Sequence, residues 1–303
     1  MKENEKQPFL YHFMPIHKFI DFALNRTLIL TSLSYMEDKL DGISSEDASN
    51  LYRLNHQQNL LDQDDFFRRI SFGVPNVNII FDNINDFRKH SLCCCFYYPQ
   101  KTEESIAMWK LYAQKDSIAL RIPKKELETF ISNNTFNHYP VLENGEKDAK
   151  LNSSPIFSQR EVEYINFFSD FTDNIVPQGF IKHEDYSFEN EYRLLLVNDV
   201  SEEKFWYDTV DEIKKDCKNP NEPKIRAELN KFISLAKSTN PKIYKIELTS
   251  ELLSKSLIVS SPFIDLWKLK NLKSINKELG FNINFQYSRS LPKVVINSFN
   301  FNA

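Results

Sequence analysis

Hydrophobic and polar positions along the first part of the chain switch between two kinds of spacing. Residues 9–13 and 27–32 form short apolar runs, which are typical of strands. Between them, residues 16–25 place apolar side chains at intervals of three and four, which indicates a helix with one buried face. Pro15 precedes this helix, a position where proline costs no helical hydrogen bond. The chain is therefore predicted to open as strand, helix, strand.

The same two spacings continue through the rest of the chain and predict an α+β protein. The predicted strands are 91–97, 117–122, 162–165, 188–196, 242–248, 256–260 and 281–287, and the predicted helices are 46–70, 105–113, 124–131, 167–175 and 266–279. Polar residues at 35–42 and 133–154 predict loops. Because strands come from both ends of the chain, we expect one α+β domain over residues 1–303, with helical insertions near 43–90 and 202–240.

The composition favours an aromatic-rich core and excludes two common nucleotide sites. The 303 residues are 41% hydrophobic and 14% aromatic, which is enough to bury a sizeable core. There are only 5 glycines, and neither the phosphate loop G-x-x-x-x-G-K-S/T nor the dinucleotide pattern G-x-G-x-x-G occurs. A nucleotide would have to be held in another way. The net charge of -4 gives no global reason to expect binding to nucleic acid or to an anionic membrane, although a local basic groove is compatible with it.

The apolar runs are too short for a membrane protein. Residues 1–8 are polar and lack the apolar stretch of a secretory signal peptide. No later run approaches the ~20 apolar residues that a membrane-spanning helix needs. We therefore expect a cytoplasmic protein without a membrane partner. Nothing in the sequence indicates an oligomeric state.

Three of the 4 cysteines are adjacent, at Cys93, Cys94 and Cys95, and the last is Cys217. Neighbouring residues of a strand point to opposite faces, and neither a C-x-x-C spacing nor a histidine cluster accompanies these cysteines. The thiols are predicted to serve as small apolar strand residues. We predict no structural zinc, no other metal cofactor and no disulfide.

Residues 188–196 combine charges with apolar side chains in a way that indicates a polar site. If the segment is an extended strand, Glu189, Glu191 and Arg193 share one face and the apolar residues line the other. Burying three charges is costly unless they are paired with one another or meet a ligand. The face is therefore either an internal ion cluster or the wall of a polar cleft. A pair of Arg193 with Glu191 on a solvated strand is the plainest alternative.

Four blocks of residues follow one another in an order that resembles a large bacterial family of domains of unknown function. They are Leu10-Tyr11-His12-Phe13, residues 30–38 (LTSLSYMED), Met108-Trp109-Lys110-Leu111-Tyr112-Ala113, and Lys182-His183 leading into Glu189-Asn190-Glu191-Tyr192-Arg193. Members of that family open with a Tyr-His-Tyr-like strand, carry M-W-x-x-Y-A and end with K-H and E-x-E-Y/W-R. The resemblance extends from about Phe9 to the turn at Pro262.

The layout of this family in turn looks like that of the ADP-ribosyltransferases. The resemblance implies a split β-sheet core with peripheral helices, and NAD as substrate, in a transferase or a glycohydrolase that acts as a toxin or in anti-phage defence. Breaking the N-glycosidic bond of NAD leaves positive charge on the ribose, and a fixed carboxylate near it lowers the barrier, as in glycoside hydrolysis. This chemistry requires no metal. The acceptor, whether protein, nucleic acid, small molecule or water, is left open.

The resemblance also implies roles for individual residues. Glu191 would be the catalytic carboxylate, Glu189 would position the nucleophile or acceptor, and Arg193 would support both. The residues that would hold NAD are His12, Thr31, Ser32, Ser34, Tyr35, Trp109, Tyr112, His183 and Arg193. Structural alternatives apply to them, such as a hydrogen-bonded strand histidine at His12 or core aromatic residues at Tyr35 and Trp109. Lys182 and His183 could bind phosphate or lie on the surface.

Two other classes of function compete with the transferase. Asp38, Asp41, Glu189 and Glu191 could hold Mg²⁺ in a nuclease, but the lysine expected soon after paired acids is missing, since Glu191 is followed by Tyr192 and Arg193. In the other alternative the cleft is a sensor pocket for a nucleotide or a partner protein. Metal-dependent activity would favour the nuclease, and binding without turnover would favour the sensor.

Overall fold

The computed structural model describes residues 8–58, 77–99, 104–113, 116–141, 156–168, 176–197, 243–281 and 283–289. Within these ranges the protein has a large mixed sheet and several helices, so the predicted α+β class is confirmed. The predicted insertion near 202–240, most of the predicted helix 167–175 and Cys217 lie outside the described residues. In the described ranges, no helix is long and apolar enough to cross a membrane.

The strands and helices follow the chain in close alternation. The strands are β1 (Phe9–Pro15), β2 (Thr27–Ser32), β3 (Ser91–Tyr97), β4 (Ser117–Pro123), β5 (His138–Val141), β6 (Ile156–Glu161), β7 (Glu163–Ile165), β8 (Ile181–His183), β9 (Glu191–Val197), β10 (Ile243–Glu247), β11 (Leu257–Ser260) and β12 (Asn284–Gln286). The helices are α1 (Ile16–Asn25), α2 (Ser45–Gln58), α3 (Val77–His90), α4 (Ile106–Met108), α5 (Lys124–Asn133), α6 (Ser250–Ser254) and α7 (Leu266–Glu278). A π-helical turn (Trp109–Ala113) continues α4, and 3₁₀ turns occupy Leu33–Tyr35 and Glu184–Glu189.

Strand β3 lies at a branch point of the large sheet. On one side it pairs along its whole length with β9, which in turn pairs with β6. On the other side it meets β1 at Tyr97, near its end, and β2 at Leu92 and Cys93, near its start. From β1 the sheet continues through β4 and β11 to β12, and from β2 it continues through β10 to β5. Strands β1 and β2 therefore diverge from β3, while β7 and β8 form a small separate parallel sheet.

The two faces of the sheet have different surroundings. One face carries the largest apolar cluster, to which β9 contributes Tyr192, Leu194 and Leu196 and α7 contributes Leu269 and Leu272. The opposite face carries two smaller apolar clusters, one beside α3 and the other beneath α4 and its π-helical turn. Since side chains alternate along a strand, Glu191 and Arg193 lie on this second face.

The structure corrects two predicted segments, and it adds β6, β8 and α6, which the sequence did not predict. Strand β5 lies within the predicted loop 133–154, because the four residues His138–Val141 are too short and too polar to stand out, and they are ordered by pairing with β10. The predicted strand 188–196 begins only at Glu191, since residues 184–189 form a 3₁₀ turn. The helical region predicted near 43–90 contains α2 and α3, and Ile80 and Ile84 of α3 belong to the core.

Candidate functional site

Arg193 is the centre of a buried cluster of charged side chains, which we call the Arg193 cluster: Asp41, Lys182, Glu189, Glu191 and Arg193. The Arg193 side chain is 0% exposed, so each of its donors needs a partner within the protein. Its Nη1 and Nη2 donate to the two carboxylate oxygens of Asp41 at 2.7 and 3.1 Å, and its Nε and Nη2 donate to those of Glu191 at 2.7 and 3.0 Å. Nη1 also donates to the Gly179 carbonyl at 2.6 Å. Two carboxylates thus hold one guanidinium from two sides.

Lys182 connects Glu189, the third carboxylate of the cluster, to Glu191 and Asp41. Its Nζ donates to Glu189 Oε2 at 2.6 Å and to Glu191 Oε2 at 3.1 Å, and it lies 4.0 Å from Asp41 Oδ2. The Tyr112 hydroxyl donates to the other oxygen of Glu189. Glu189 therefore bridges the buried lysine and a tyrosine that is 48% exposed, which makes it the cluster carboxylate linked to the surface.

A turn at Asn190 explains how both glutamates reach the cluster. Glu191 is the first residue of β9, whereas Glu189 is the last residue of the 3₁₀ turn before it. Asn190 lies between them at φ 40, in the left-handed region that asparagine tolerates better than most residues. The expectation that a strand alternation places Glu189 beside Glu191 is corrected: the alternation holds for Glu191 and Arg193 only.

Asp41 is brought to Arg193 by a loop that Arg88 organises. Arg88 is buried, and its Nη2 donates to the Met36 carbonyl at 2.7 Å while its Nη1 contacts the Asp38 carbonyl. The residue after Asp41 is Gly42, at φ 95, where a side chain would be strained. The Arg88 side chain of α3 thus fixes, through backbone carbonyls, the loop that delivers the Asp41 carboxylate.

Gly179 is required on the other side of Arg193. Its φ is 86, and a Cβ atom there would lie 2.8 Å from Leu195 Cδ2. The close approach lets the Gly179 carbonyl accept the hydrogen bond from Arg193. A larger residue would separate the backbone from both Leu195 and Arg193.

Coulomb interactions outweigh burial at three members of the cluster, Lys182, Glu191 and Arg193. Burial alone would raise the pKa of Glu191, but Arg193 and Lys182 hold that pKa below its usual range. Burial would lower the pKa of Lys182, yet Glu191, Asp41 and Glu189 raise it above its ordinary value. The pKa of Arg193 is raised in the same way, with burial outweighed by Asp41 and Glu191. Lys182, Glu191 and Arg193 are thus stabilised in their charged forms, and the cluster brings three carboxyl groups together with two cationic side chains.

Tyrosines surround the outer side of the cluster. Burial, and then the contact with Glu189, raise the pKa of the Tyr112 hydroxyl, so this group stays a proton donor. The Tyr164 hydroxyl accepts a hydrogen bond from the backbone N–H of Glu191 at 2.8 Å. The centre of the Tyr186 ring lies 5.1 Å from Lys182 Nζ. The cluster is thus rimmed by aromatic rings where it approaches the surface.

His12 is not part of this cluster. Its Nδ1 donates to the Cys95 carbonyl at 3.0 Å, and its ring lies 5.5 Å from that of Phe96, in the apolar layer that also contains Leu194. Glu191 and Arg193 project from the other face of the sheet. Burial lowers the pKa of His12, which favours a neutral ring. The expectation that His12 holds NAD beside Glu191 is corrected, because the alternation of β1 turns the ring to the opposite face.

Trp109 is also outside the Arg193 cluster. It is 0% exposed and packs edge-on against Phe13, with ring centres 4.8 Å apart. Its Nε1 donates to Glu104 Oε2 at 3.3 Å. Tyr112, three residues later, reaches the surface, because the helix widens into the π-helical turn there. Of this predicted pair, only Tyr112 contacts the Arg193 cluster.

The predicted hydroxyl and histidine contacts are local ones. Ser32 is buried and donates to the Arg88 carbonyl at 3.0 Å, and it also accepts from the backbone of Ser34 at the start of the 3₁₀ turn. Thr31 pairs with Cys93 within the sheet, and Tyr35 is 59% exposed. His183 packs against Phe167, with ring centres 5.4 Å apart, because alternation along β8 directs Lys182 inward and His183 away. The described contacts do not bring these side chains to the cluster.

Asp41 and Lys182 are the cluster members that the sequence-based set of catalytic and NAD-binding residues omitted. Asp41 appeared only as a ligand of the alternative nuclease, and Lys182 only as a phosphate-binding candidate. The signal that could have indicated Asp41 is Arg193 on an otherwise apolar strand. Glu191 satisfies only some of the N–H donors of this guanidinium, so a second acidic side chain is required. Which acid supplies it depends on the folded path of the loop after β2.

The carboxylates of the cluster are engaged by cations of the protein itself. Among the residues with described positions, no group of three or more His, Cys, Asp or Glu side chains is arranged to hold a metal ion. A divalent cation at Asp41 and Glu191 would have to displace Arg193, whose donors occupy both carboxylates. Cys93, Cys94 and Cys95 are free thiols, and burial raises the pKa of Cys94.

Comparison with known proteins gives one match. No curated protein and no solved structure is significantly similar to the chain. Residues 108–194 match a family model described as protein of unknown function (DUF2971). The matched part is less than a third of the chain, and it includes Tyr112, Lys182, Glu189, Glu191 and Arg193 but neither His12 nor Asp41. The segment similar to this family of unknown function therefore carries four of the five charged residues of the Arg193 cluster.

Proposed function

We propose that the protein cleaves the N-glycosidic bond of NAD at the Arg193 cluster and transfers ADP-ribose to an acceptor or to water. The observation that carries the proposal is the composition of the cluster, in which the described ion pairs set the three carboxyl groups of Asp41, Glu189 and Glu191 against two cationic side chains, Lys182 and Arg193. A buried excess of negative charge stabilises a positive charge that develops nearby, because the surroundings screen it weakly. Cleavage of NAD develops that charge on the ribose.

Glu189, rather than Glu191, is the carboxylate best placed to act on the substrate. Glu191 is fixed by Arg193 and Lys182 behind the rim, whereas Glu189 is separated from solvent by the half-exposed Tyr112. The catalytic role that the sequence assigned to Glu191 therefore passes to Glu189 in this proposal. Glu191 becomes a positioning residue, which holds Lys182 and Arg193 in place.

The rings of Tyr112 and Tyr186 suit a flat cationic leaving group. The face of an aromatic ring attracts a cation, and nicotinamide carries its positive charge until the bond to the ribose breaks. The electron pair of that bond then leaves with the nicotinamide nitrogen, and the ribose carbon becomes an oxocarbenium ion beside Glu189. The acceptor attacks this carbon, and its proton passes to the Glu189 carboxylate and from there to solvent. The negative charge beside the ribose favours the step in which the oxocarbenium ion forms.

The test is turnover of NAD by the full chain and by two matched variants. Glu189→Gln should lower nicotinamide release by about 10²-fold or more, since it removes one preorganised electrostatic contact. Glu161→Gln is the control, because it removes a surface carboxylate that pairs with Lys124 at 2.7 Å. Binding of NAD should change little in either variant, since the charge that Glu189 opposes appears mainly during bond breaking.

The same assay separates the competing functions. Labelled NAD distinguishes transfer to protein, nucleic acid or small molecule from hydrolysis by water. Nucleic-acid cleavage that requires Mg²⁺ and ignores NAD would replace the transferase by the nuclease, and NAD binding without nicotinamide release would replace it by the sensor. A toxin or an anti-phage effector is the biological role that fits consumption of NAD. In that case expression of the protein should arrest growth, and the Glu189→Gln variant should not.

A further inference from the structure

A basic stripe bordered by aromatic rings runs along α7, on the other side of the sheet from the Arg193 cluster. Leu269 and Leu272 mark the inner side of this helix, where they pack in the apolar layer that contains Leu194. At 3.6 residues per turn, Lys270, Lys273 and Lys277 fall within a narrow sector beside that inner side. Lys270 and Lys277 are exposed and Lys273 is half-buried. Three lysines therefore line one flank of the helix.

Two aromatic rings lie next to these lysines. Trp267 is 64% exposed, and it precedes Lys270 by three residues, so the two side chains are neighbours on the helix surface. At the other border, Lys273 Nζ lies 4.8 Å from the centre of the Tyr287 ring, just after β12. Trp267 is the most exposed large apolar side chain in the described ranges. The indole also lies near Lys268, whose Nζ is 5.5 Å from the centre of the Trp267 ring. Because Trp267 is so exposed, it keeps an open surface on which a base can stack.

The charge of this region opposes that of the whole protein. From its N-cap Asp265 through Glu278, α7 carries four lysines and two acids, a local net charge of +2, while the whole chain carries -4. Asp265 lies 3.5 Å from Lys268, on the opposite flank from the stripe. A polyanion would thus meet the stripe as a positive region of an otherwise acidic protein.

We infer that this surface, formed by Trp267, Lys270, Lys273, Lys277 and Tyr287, binds single-stranded nucleic acid. Aromatic side chains stack on unpaired bases while lysines contact the phosphates, and this combination is common in proteins that bind single strands. A membrane surface fits less well, because an interfacial helix inserts its apolar face and the apolar face of α7 is buried in the core. An acidic peptide would use the lysines but would have no use for the exposed indole. The inference does not depend on cleavage of NAD.

The experiment measures binding of a fluorescent oligothymidylate to the full chain by anisotropy at several salt concentrations. The variant K270Q/K273Q/K277Q should weaken binding at least tenfold. It should also make the plot of log affinity against log salt shallower by roughly 2, because each lost phosphate contact removes about 0.7 from the slope. Trp267→Ala should weaken binding about tenfold through lost stacking and leave the salt slope unchanged.

The control variant K18Q/K89Q/K125Q removes the same charge from exposed positions elsewhere and should bind almost as the unmodified protein does. Circular dichroism of each variant checks folding, and the substituted side chains are exposed except that of Lys273, which is half-buried. Absence of binding, or an equal loss in the control, would overturn the inference. So would equal affinity for duplex DNA with no effect of Trp267→Ala, since attraction by charge alone would then suffice. Equal competition by polyglutamate or by phosphatidylserine vesicles would reassign the surface to an acidic peptide or a membrane.

Discussion

The two faces of β9 are stabilised in opposite ways, although their residues alternate along one strand. Tyr192, Leu194 and Leu196 enter the largest apolar layer, where many weak contacts add up. Glu191 and Arg193 enter a cluster in which a few short ion contacts replace water. Both faces are buried, so the difference lies in the kind of contact and not in solvent access.

This difference predicts how each face tolerates change. An apolar layer accepts another apolar side chain of similar volume, because its contacts are not directional. A buried ion cluster does not accept the loss of one member, because the remaining charges lose their compensation and cannot return to water. Neighbouring positions of one strand should therefore respond very differently to the same substitution.

The largest expected effect follows from replacing Arg193 and Leu194 separately with methionine. Arg193→Met leaves Asp41 and Glu191 buried without their shared cation and should lower the free energy of unfolding by about 3–5 kcal/mol. Leu194→Met keeps volume and polarity and should cost less than about 1.5 kcal/mol. Urea denaturation of both variants measures the difference. Similar losses at the two positions would show that the faces do not differ as the structure indicates.

Removing Arg193 together with its two carboxylate partners sharpens the same comparison, and it leaves the pair of Lys182 with Glu189 intact. In the variant Asp41→Asn/Glu191→Gln/Arg193→Met the uncompensated charges are gone, so part of the stability lost in Arg193→Met should return. If the triple variant is less stable than Arg193→Met alone, the carboxylates stabilise the fold by contacts other than the one with Arg193.

The second expected effect concerns the backbone that approaches Arg193. Gly179→Ala places a Cβ atom 2.8 Å from Leu195 Cδ2 at a positive φ, and it should cost roughly 3 kcal/mol from strain and displacement together. Gly280→Ala is the matched control, because its φ is also positive, at 63, but nothing lies within 4 Å of the added atom. That variant should lose only about 1 kcal/mol. Equal losses in thermal or urea denaturation would mean that the close approach at Gly179 is unimportant.

The local parts of this picture were predictable from the sequence. Apolar spacing located β1, α1 and β2 to within about two residues, because each element buries one of its own faces. Alternation also predicted that Glu191 and Arg193 project together, and that they form either an ion cluster or a cleft wall. These conclusions depend on residues close in sequence.

The remaining parts depend on how distant segments meet. Alternation states that His12 and Tyr11 lie on opposite faces of β1, but it does not say which of them faces Glu191 after the sheet has formed. Asp41 reaches Arg193 only because Arg88 of α3 fixes the loop around it, and no spacing in the sequence relates these three residues. Contacts between segments that are distant in sequence therefore determine which residues form the site.

A smaller effect is expected in the dependence of stability on pH. The pKa of Glu191 in the folded protein is lowered from its ordinary 4.5 by Arg193 and Lys182, which outweigh burial. The stability that its charge contributes is therefore fully present above pH 4.5 and is lost as the pH falls toward the lowered value. Glu191→Gln should be less stable than the unmodified protein at pH 7, by on the order of 2 kcal/mol. This gap should narrow between pH 5 and pH 2. A gap independent of pH would show that the charge of Glu191 is not what stabilises the fold.

The smallest effect belongs to the hydroxyl that joins the cluster to the surface. Tyr112→Phe removes the hydrogen bond to Glu189 and keeps the ring, and it should cost about 1 kcal/mol, because the half-exposed site lets water replace the lost donor. Tyr35→Phe is the control, since Tyr35 is more exposed and its described contacts do not reach the cluster; its loss should be near zero. Urea denaturation at pH 7 compares the two. If both variants lose the same small amount, the Tyr112 hydroxyl does not tie the cluster to its rim. A loss of several kcal/mol at Tyr112 would instead place Glu189 as deep in the charged core as Glu191, and it would remove the reason for assigning Glu189 to the substrate.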